Sequence, residues 1–230
     1  MSAINHIFEP SRLFLVWHHS GDCSPRHRRI VGELLRDGDT VKFRYAKNSD
    51  DYKQAEKEGF IGFPAFTKNV SSVDDALDAF STRLPPRKRA DFGRYLSQYG
   101  LPEEFTGSYM ALLGYTGARL ESDSFELCPD YSDVTAPADI LIELTGVRYQ
   151  ISPSEMPQPG TQVKFRPEPE NEHDPKAIAV HSENGRIGYI NKAVTSGFAR
   201  MLEAMTVTGT VLKTGSSEAH AQIILLVQCR

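Results

Sequence analysis

Residues 165–190 hold the densest group of side chains capable of binding chemistry in this 230-residue chain. A predicted strand ends at Arg166, and a polar loop that contains prolines follows it. A second predicted strand comes next, and Asn184-Gly185, whose residues tolerate positive φ, predicts a hairpin to a third. We expect the loop to present three side chains that donate and accept hydrogen bonds. They are Asn171, His173 and Asp174.

In their order and spacing, these residues resemble the HIRAN domain. The resemblance is carried by Arg166, Pro169, Asn171, His173, Asp174, Ala177 and Ile178, then by Gly185, Gly188, Tyr189 and Ile190. Upstream, Gly146-Val147-Arg148-Tyr149 adds to the match, which covers residues 138–230. The resemblance implies an OB-like barrel that binds single-stranded DNA at a free 3′ end.

The resemblance also implies roles for single residues, because holding a strand end requires an aromatic surface, an acceptor for the 3′-hydroxyl and cations for phosphates. Tyr149 would stack on the terminal base, and Asp174 would accept a hydrogen bond from the hydroxyl. Arg148 and Lys192 would contact phosphates. The remaining candidate binding residues are Arg166, Asn171 and His173.

A purely structural interpretation of the same residues stays open. Asn and Asp routinely hold turns in loops, so Asn171 and Asp174 would then only stabilise the loop. Tyr149 and Tyr189 would then pack into the barrel.

Charge excludes a general phosphate coat, because such a coat needs a broad basic surface that releases counterions. The chain has 26 Lys and Arg against 30 Asp and Glu, a formal charge of −4. Residues 138–230 are themselves slightly acidic, and Glu168, Glu170 and Glu172 lie beside the candidate site. Binding by this segment should therefore be weak or specific for a strand end.

A basic cluster in the N-terminal half is a second candidate for phosphate contact. Its members are Arg83, Arg87, Lys88, Arg89 and Arg94. The alternative is a solvated helix face whose cations pair with nearby acids.

Residues 11–101 are similar, over shorter motifs, to the small N-terminal subdomain of HipA-type toxin kinases. The motifs are Val31-Gly32-Glu33-Leu34, Val41 to Tyr45, Gly62-Phe63-Pro64 and Phe80 to Pro85. The sequence shows no kinase set of Gly-rich loop, Lys and metal-binding Asp. This similarity supplies the alternative function: a protein-interaction module that regulates a HipA-like kinase or another partner without binding DNA.

Catalytic and metal chemistry find little support in the sequence. His18, His19, Cys23 and His27 lack the second ligand pair of a zinc site, and Cys128 lacks a nucleophile motif. We therefore expect a protein that is not an enzyme and has no cofactor and no metal. The scattered cysteines, the short apolar runs and the lack of a targeting segment favour a cytoplasmic protein without a membrane partner.

The elements that must position these residues are of the α+β class. Residues 1–105 are predicted to form a small antiparallel sheet with helices, through strands at Arg12–His18, Ile30–Leu35 and Thr40–Tyr45 and helices at Asp50–Glu58, Ser72–Phe80 and Arg87–Tyr99. Residues 106–137 show no sustained period and are predicted to be an irregular linker. Residues 138–230 are predicted to form an OB-like β-barrel with one helix, Lys192–Met205. Its six strands are Ile140–Val147, Gln162–Arg166, Ala177–His181, Ile187–Ile190, Val207–Leu212 and Gln222–Val227.

Overall fold

The computed structural model describes residues 4–19, 28–217 and 220–230. The chain divides into two compact units. The N-terminal unit consists of Glu9–Tyr99 and Glu103–Asp130, and the C-terminal unit of Met1–Phe8, Gly100–Pro102 and Tyr131–Arg230. Over the ranges described, no helix has the length and apolar character needed to cross a membrane.

The N-terminal unit is built on a four-stranded antiparallel sheet. Its strands are β1 (Arg12–His18), β2 (Arg28–Asp37), β3 (Thr40–Tyr45) and β4 (Phe125–Pro129), in the order β3-β2-β1-β4. Its helices are α1 (Asp50–Lys57), α2 (Leu77–Ser81), α3 (Phe92–Gln98) and α4 (Tyr109–Thr116). The predicted antiparallel sheet with helices is confirmed.

The helix predicted over Ser72–Phe80 is much shorter, because α2 begins only at Leu77. Val73 exchanges two backbone hydrogen bonds with Phe43 of β3, both of 2.8 Å. Backbone groups that are bonded to a strand are not available to a helix. The first half of the predicted helix therefore forms an antiparallel bridge to β3 through Val73.

The helix predicted over Arg87–Tyr99 is also shorter and begins at Phe92. Before it, the Arg89 N–H donates to the carbonyl of Pro86 at 2.9 Å, and the Phe92 N–H donates to that of Arg89 at 3.0 Å. These bonds close turns, so the basic residues of this stretch lie mostly outside the helix.

Residues 106–137 are not irregular, as the sequence had suggested. The hydroxyl of Ser108 caps α4 by accepting a hydrogen bond from the Ala111 N–H at 3.1 Å. Most of α4 is buried, and every residue of β4 is buried as it pairs with β1. Elements that are buried over most of their residues show little alternation of apolar and polar residues, which is why the sequence pattern missed them.

The C-terminal unit carries a six-stranded antiparallel sheet that is curled into a half-barrel. Its strands are β5 (Ala138–Glu143), β6 (Gln162–Pro167), β7 (Ile178–Ser182), β8 (Gly185–Tyr189), β9 (Val207–Ser217) and β10 (His220–Cys229). Their order is β5-β10-β9-β6-β7-β8. Thr145, just after β5, exchanges two backbone hydrogen bonds of 2.9 Å with Tyr189 at the end of β8. These bonds join the two edges of the sheet, and the predicted OB-like arrangement is confirmed.

One helix, α5 (Thr195–Ala204), covers the inner face of this sheet. The ring of Phe198 on α5 meets that of Phe165 on β6 edge to face, with centroids 4.9 Å apart. Gly209 on β9 makes room for this pair, because a Cβ there would come within 2.6 Å of the Phe165 ring. The predicted helix of the barrel therefore packs over the core of the barrel through Phe198.

The predicted strand Ile140–Val147 ends earlier than expected, at Glu143. Gly146 has φ 73°, a left-handed conformation that favours glycine, and it starts a short 3-10 turn over Val147–Tyr149. The end of β5 therefore leads into a turn that projects Arg148 and Tyr149.

Candidate nucleic-acid interface

Tyr149 offers an open aromatic surface at the end of the 3-10 turn. Its side chain is 71% exposed, although large apolar and aromatic residues are usually buried. The guanidinium carbon of Arg148 lies 4.6 Å from the ring centroid, and Arg148 also donates a hydrogen bond to the Tyr149 hydroxyl. A ring that is exposed and carries a cation beside it can stack on a base and attract its phosphate. Tyr149 does not pack into the barrel.

Asn171 holds the loop between β6 and β7 in shape. Its side-chain carbonyl accepts hydrogen bonds from the backbone N–H groups of His173 at 3.0 Å and Asp174 at 3.1 Å. Its amide donates to Glu168 at 2.9 Å. These bonds match the structural interpretation for Asn171, whose polar atoms are used inside the loop.

Asp174 is only partly used by the loop. One carboxylate oxygen, Oδ1, accepts a hydrogen bond from the Lys176 N–H at 2.9 Å. The carboxylate is half-buried, and its Oδ2 accepts no hydrogen bond from any residue that the structure describes. The neighbouring His173 side chain is exposed. The loop therefore presents one carboxylate oxygen and one imidazole for a ligand.

Glu168 links this loop to the turn that carries Tyr149. Its Oε2 accepts from the Asn171 amide and, at 3.1 Å, from the Tyr189 hydroxyl, while its Oε1 accepts from Arg186 at 3.0 Å. Arg186 in turn donates to the side chain of Gln150 at 2.6 Å. We call Glu168, Arg186, Gln150, Asn171 and Tyr189 the hub.

The hub keeps Glu168 ionised. The hydrogen bond from Asn171 is the largest cause that holds the pKa of Glu168 below its ordinary value, and the bonds from Arg186 and Tyr189 act in the same direction against partial burial. The sequence suggested that Glu168 crowds the site with negative charge. In the structure its charge is matched by Arg186, so Glu170 and Glu172 are the acids that remain exposed beside the site.

Sequence reasoning missed Arg186 and Gln150. The alternation of the hairpin at Asn184-Gly185 predicts that Arg186 shares a face with residues of β7, which was an available signal. The contact of Arg186 with Gln150 joins residues far apart in the chain and had no local signal.

Lys192 and Arg166 are exposed, and neither forms an ion pair within the described ranges. Lys192 follows β8 and precedes α5, where Asn191 holds the chain by accepting a hydrogen bond from the Ala193 N–H at 3.0 Å. Arg166 lies on β6 opposite Ala179. Both cations are therefore available to phosphate.

The basic cluster of the N-terminal unit does not act as one exposed patch. Arg83 is buried, and its guanidinium donates to Asp123 at 2.5 and 2.9 Å and to the carbonyls of Ala118 and Phe125. Arg87 donates to two backbone carbonyls and lies 4.7 Å from the centroid of the Tyr109 ring. These two arginines hold the fold together.

The other three cations of that cluster are exposed. Arg89 forms an ion pair with Asp91, and Arg94 lies 4.0 Å from the same carboxylate, whereas Lys88 has no partner among the described residues. Arg89 and Arg94 therefore share one acid, as on a solvated face, and phosphate contact by these three cations stays a prediction.

The suggested metal ligands are only partly visible. Cys23 and His27 lie outside the described residues. Among the residues described, no group of three or more His, Cys, Asp or Glu side chains is placed to hold a metal ion. His18 and His19 instead line a cavity of about 410 Å³ together with residues 119–125.

Comparison with known proteins identifies the segment that carries this site. The family model for the HIRAN domain matches residues 138–224, which confirms the resemblance seen in the sequence for that segment. The match does not extend to residues 11–101, so the similarity of those residues to HipA-type kinases stays a prediction. No curated protein matches the chain.

Two solved structures are similar to part of the chain. One is the HIRAN domain of human HLTF, with 20% identity over 40% of this chain and 74% of that chain and a TM-score of 0.33. The other is a protein from Lactobacillus plantarum, with 18% identity over 40% of this chain and 99% of that chain and a TM-score of 0.32. Both TM-scores are low, so neither likeness bears on the fold or the function of this chain.

Proposed function

We propose that the HIRAN domain at residues 138–224 binds single-stranded nucleic acid and recognises a free 3′ end. The observation that carries this proposal is the exposed Tyr149 ring beside Arg148, in a turn that the hub joins to the loop bearing Asp174. The exposed ring does not pack into the core, and hydrogen bonds of the hub hold the turn beside it. The ring has the properties of a stacking platform.

In the proposed mechanism, the terminal base stacks on Tyr149, and Asp174 Oδ2 accepts a hydrogen bond from the 3′-hydroxyl. Arg148 and Lys192 contact the last phosphates, and His173 lines the pocket at the strand end. A 3′-phosphate would bring negative charge to the carboxylate of Asp174 and would be rejected. This step gives the site its preference for a free hydroxyl.

We propose further that the protein acts by binding and is not an enzyme. The carboxylate of the hub, Glu168, accepts hydrogen bonds from Arg186, Asn171 and Tyr189, so it serves to hold the site in shape and is not free for proton transfer. Recognition of a strand end without chemistry fits a role in DNA repair, defence or genome maintenance.

Fluorescence polarisation with short single strands tests the proposal. Strands ending in a 3′-hydroxyl should bind more tightly than the same strands ending in a 3′-phosphate, and Tyr149→Ala should cost about 1–3 kcal/mol of binding free energy. Ile61→Ala, which removes an 89% exposed apolar side chain from the N-terminal unit, is the control and should leave affinity unchanged. Equal affinity for both strand ends, or no effect of Tyr149→Ala, would contradict the mechanism.

The same assay separates the alternative function. A module that only regulates a kinase or another protein partner should show no binding to single strands even at low salt. A partner recovered from cells after nuclease treatment, together with that result, would favour the alternative.

A further inference from the structure

The strands β6, β7 and β8 carry basic side chains on the outer face of the sheet. On β6, Phe165 points to the core and meets Phe198, so its neighbours Lys164 and Arg166 point to the other side, where both are exposed. The outer face at β6 is therefore basic.

The register extends this basic row across the next two strands. Lys164 lies opposite His181 of β7, and His181 lies opposite Arg186 of β8. Directly opposite residues project from the same side of a sheet. We call Lys164, Arg166, His181 and Arg186 the basic face.

Glu168 balances only one cation of this face, Arg186, and leaves Lys164 and Arg166 without an acid partner among the described residues. The register places His181 on the strand between those of Arg166 and Arg186. Burial is the first cause that lowers the pKa of His181, and the positive charges of these two arginines lower it further. Glu168, the acid that opposes them, pairs with Arg186 and accepts hydrogen bonds from Asn171 and Tyr189, so it does not neutralise Lys164 or Arg166. Unlike Lys68, which pairs with Glu56 in the N-terminal unit, Lys164 and Arg166 form no ion pair within the ranges described.

We propose that the basic face binds the phosphates of the nucleic-acid strand on the 5′ side of the end held at Tyr149. This inference rests on the proposed function and adds the path of the strand. Arg186 borders both regions, because it donates to Gln150 beside Tyr149 and lies opposite His181.

Phosphates are the ligand that this face fits by charge and spacing. Lys164 and Arg166 are two residues apart, about 7 Å along the strand, so each can contact a separate phosphate. Exposed cations in a row suit a flexible polyanion whose charges repeat along its length.

Affinity measured against strand length tests this path. Strands of about four and about twelve nucleotides, both with a 3′-hydroxyl, are compared by fluorescence polarisation over a range of salt concentrations. The longer strand should bind more tightly, and Lys164→Ala/Arg166→Ala should weaken the binding of the longer strand about ten-fold and that of the short strand much less. The slope of log K against log salt should fall by about 1.4 for the longer strand, because each phosphate contact on a single strand adds about 0.7.

Arg200→Ala/Lys213→Ala is the matched control. It removes the same charge from exposed positions of the same unit, on α5 and β9, outside the basic face. Its affinity for both strands should equal that of the unaltered protein. A loss equal to that of Lys164→Ala/Arg166→Ala would mean that only net charge matters and would overturn the proposal.

The His181 imidazole supplies a second readout by nuclear magnetic resonance. Bound phosphates would offset the repulsion from Arg166 and Arg186, so the longer strand should raise the pKa of His181 and the short strand should not. An unchanged His181 titration with the longer strand bound would overturn the proposal. Polyglutamate of equal charge that raises the His181 pKa as much as DNA would also overturn it, in favour of an acidic protein partner.

Failure of this inference is distinguishable from failure of end recognition. If the protein discriminates between 3′ ends and Lys164→Ala/Arg166→Ala has no effect, the role of the basic face is contradicted and the Tyr149 site is supported. Loss of long-strand affinity in that variant without discrimination between ends would support the face and contradict the end pocket.

Discussion

The carboxylate of Asp139 joins three stretches of the C-terminal unit, and Asp139→Asn is expected to destabilise it. Asp139 is fully buried on β5. Its Oδ2 accepts from the backbone N–H groups of Asn5 at 2.8 Å and His6 at 2.9 Å, and its Oδ1 accepts from Arg230 at 2.8 Å and Gln228 at 3.3 Å. An amide in its place removes the charge and turns one acceptor into a donor that faces other donors.

The size of the effect follows from the pKa of Asp139. Burial opposes its ionisation, but the hydrogen bonds from Arg230, Asn5, His6 and Gln228 outweigh burial and lower its pKa from 3.8 to about 2. A shift of that size corresponds to about 2.5 kcal/mol of stability. Since Asp139→Asn also leaves Arg230 without its buried partner, we expect a loss of about 3 kcal/mol.

The loss should depend on pH in one direction. The pKa of Asp139 is lowered in the folded protein, so its contribution is complete above the ordinary Asp pKa and is lost as pH falls through about 2. The difference between the unaltered protein and Asp139→Asn should therefore be largest near neutral pH and should shrink on acidification.

Urea unfolding followed by circular dichroism, with hydrogen exchange of the amides of β5 and β10, measures this difference. The single Trp of the chain, Trp17, lies in the N-terminal unit, so its fluorescence does not report on Asp139. Glu183→Gln, at an exposed turn of the same unit, is the control and should change stability by less than about 0.5 kcal/mol. A change for Asp139→Asn as small as the control's, or one that does not vary with pH, would refute the reasoning.

Three further substitutions test other contacts. Glu168→Gln should lower the free energy of unfolding by about 1 kcal/mol in urea titrations near neutral pH, because Arg186 loses its charged acceptor at a partly exposed site, and no loss would contradict the hub. Gly209→Ala should lower thermal stability by about 1–3 kcal/mol, since its Cβ would meet the Phe165 ring, and an unchanged melting temperature would exclude that contact. Arg83→Ala should lower the free energy of unfolding by about 3–5 kcal/mol in urea titrations and should leave the affinity for DNA unchanged. Lys88→Ala should change neither the stability nor the affinity, and a loss of DNA affinity in both variants would support the basic cluster as a phosphate site.

Local pattern was sufficient for the strands that have one buried and one exposed face. β3 has the bounds that its alternation predicts, with Val41, Phe43 and Tyr45 buried and the residues between them turned outward. The same reasoning found the six strands and single helix of the C-terminal unit, although β9 and β10 extend beyond their predicted ends.

Local pattern was insufficient where the environment overrides it. The spacing of apolar residues over Ser72–Phe80 is helical, yet Val73 bonds to β3. The elements α4 and β4 show no clear alternation because most residues of α4 and all residues of β4 are buried. In each case the deciding partner is distant in the chain.

The candidate site also has features that the sequence predicts and features that depend on the tertiary structure. The sequence by itself determined that residues 138–230 resemble a HIRAN domain, since the motif residues follow one another at fixed spacing along a strand, a loop and a hairpin. Only the tertiary structure decided that Tyr149 is exposed, that Glu168 is neutralised by Arg186 and that Arg83 is buried. Exposure and charge pairing depend on which distant side chains lie within a few ångströms, and the register of the sheet sets those distances.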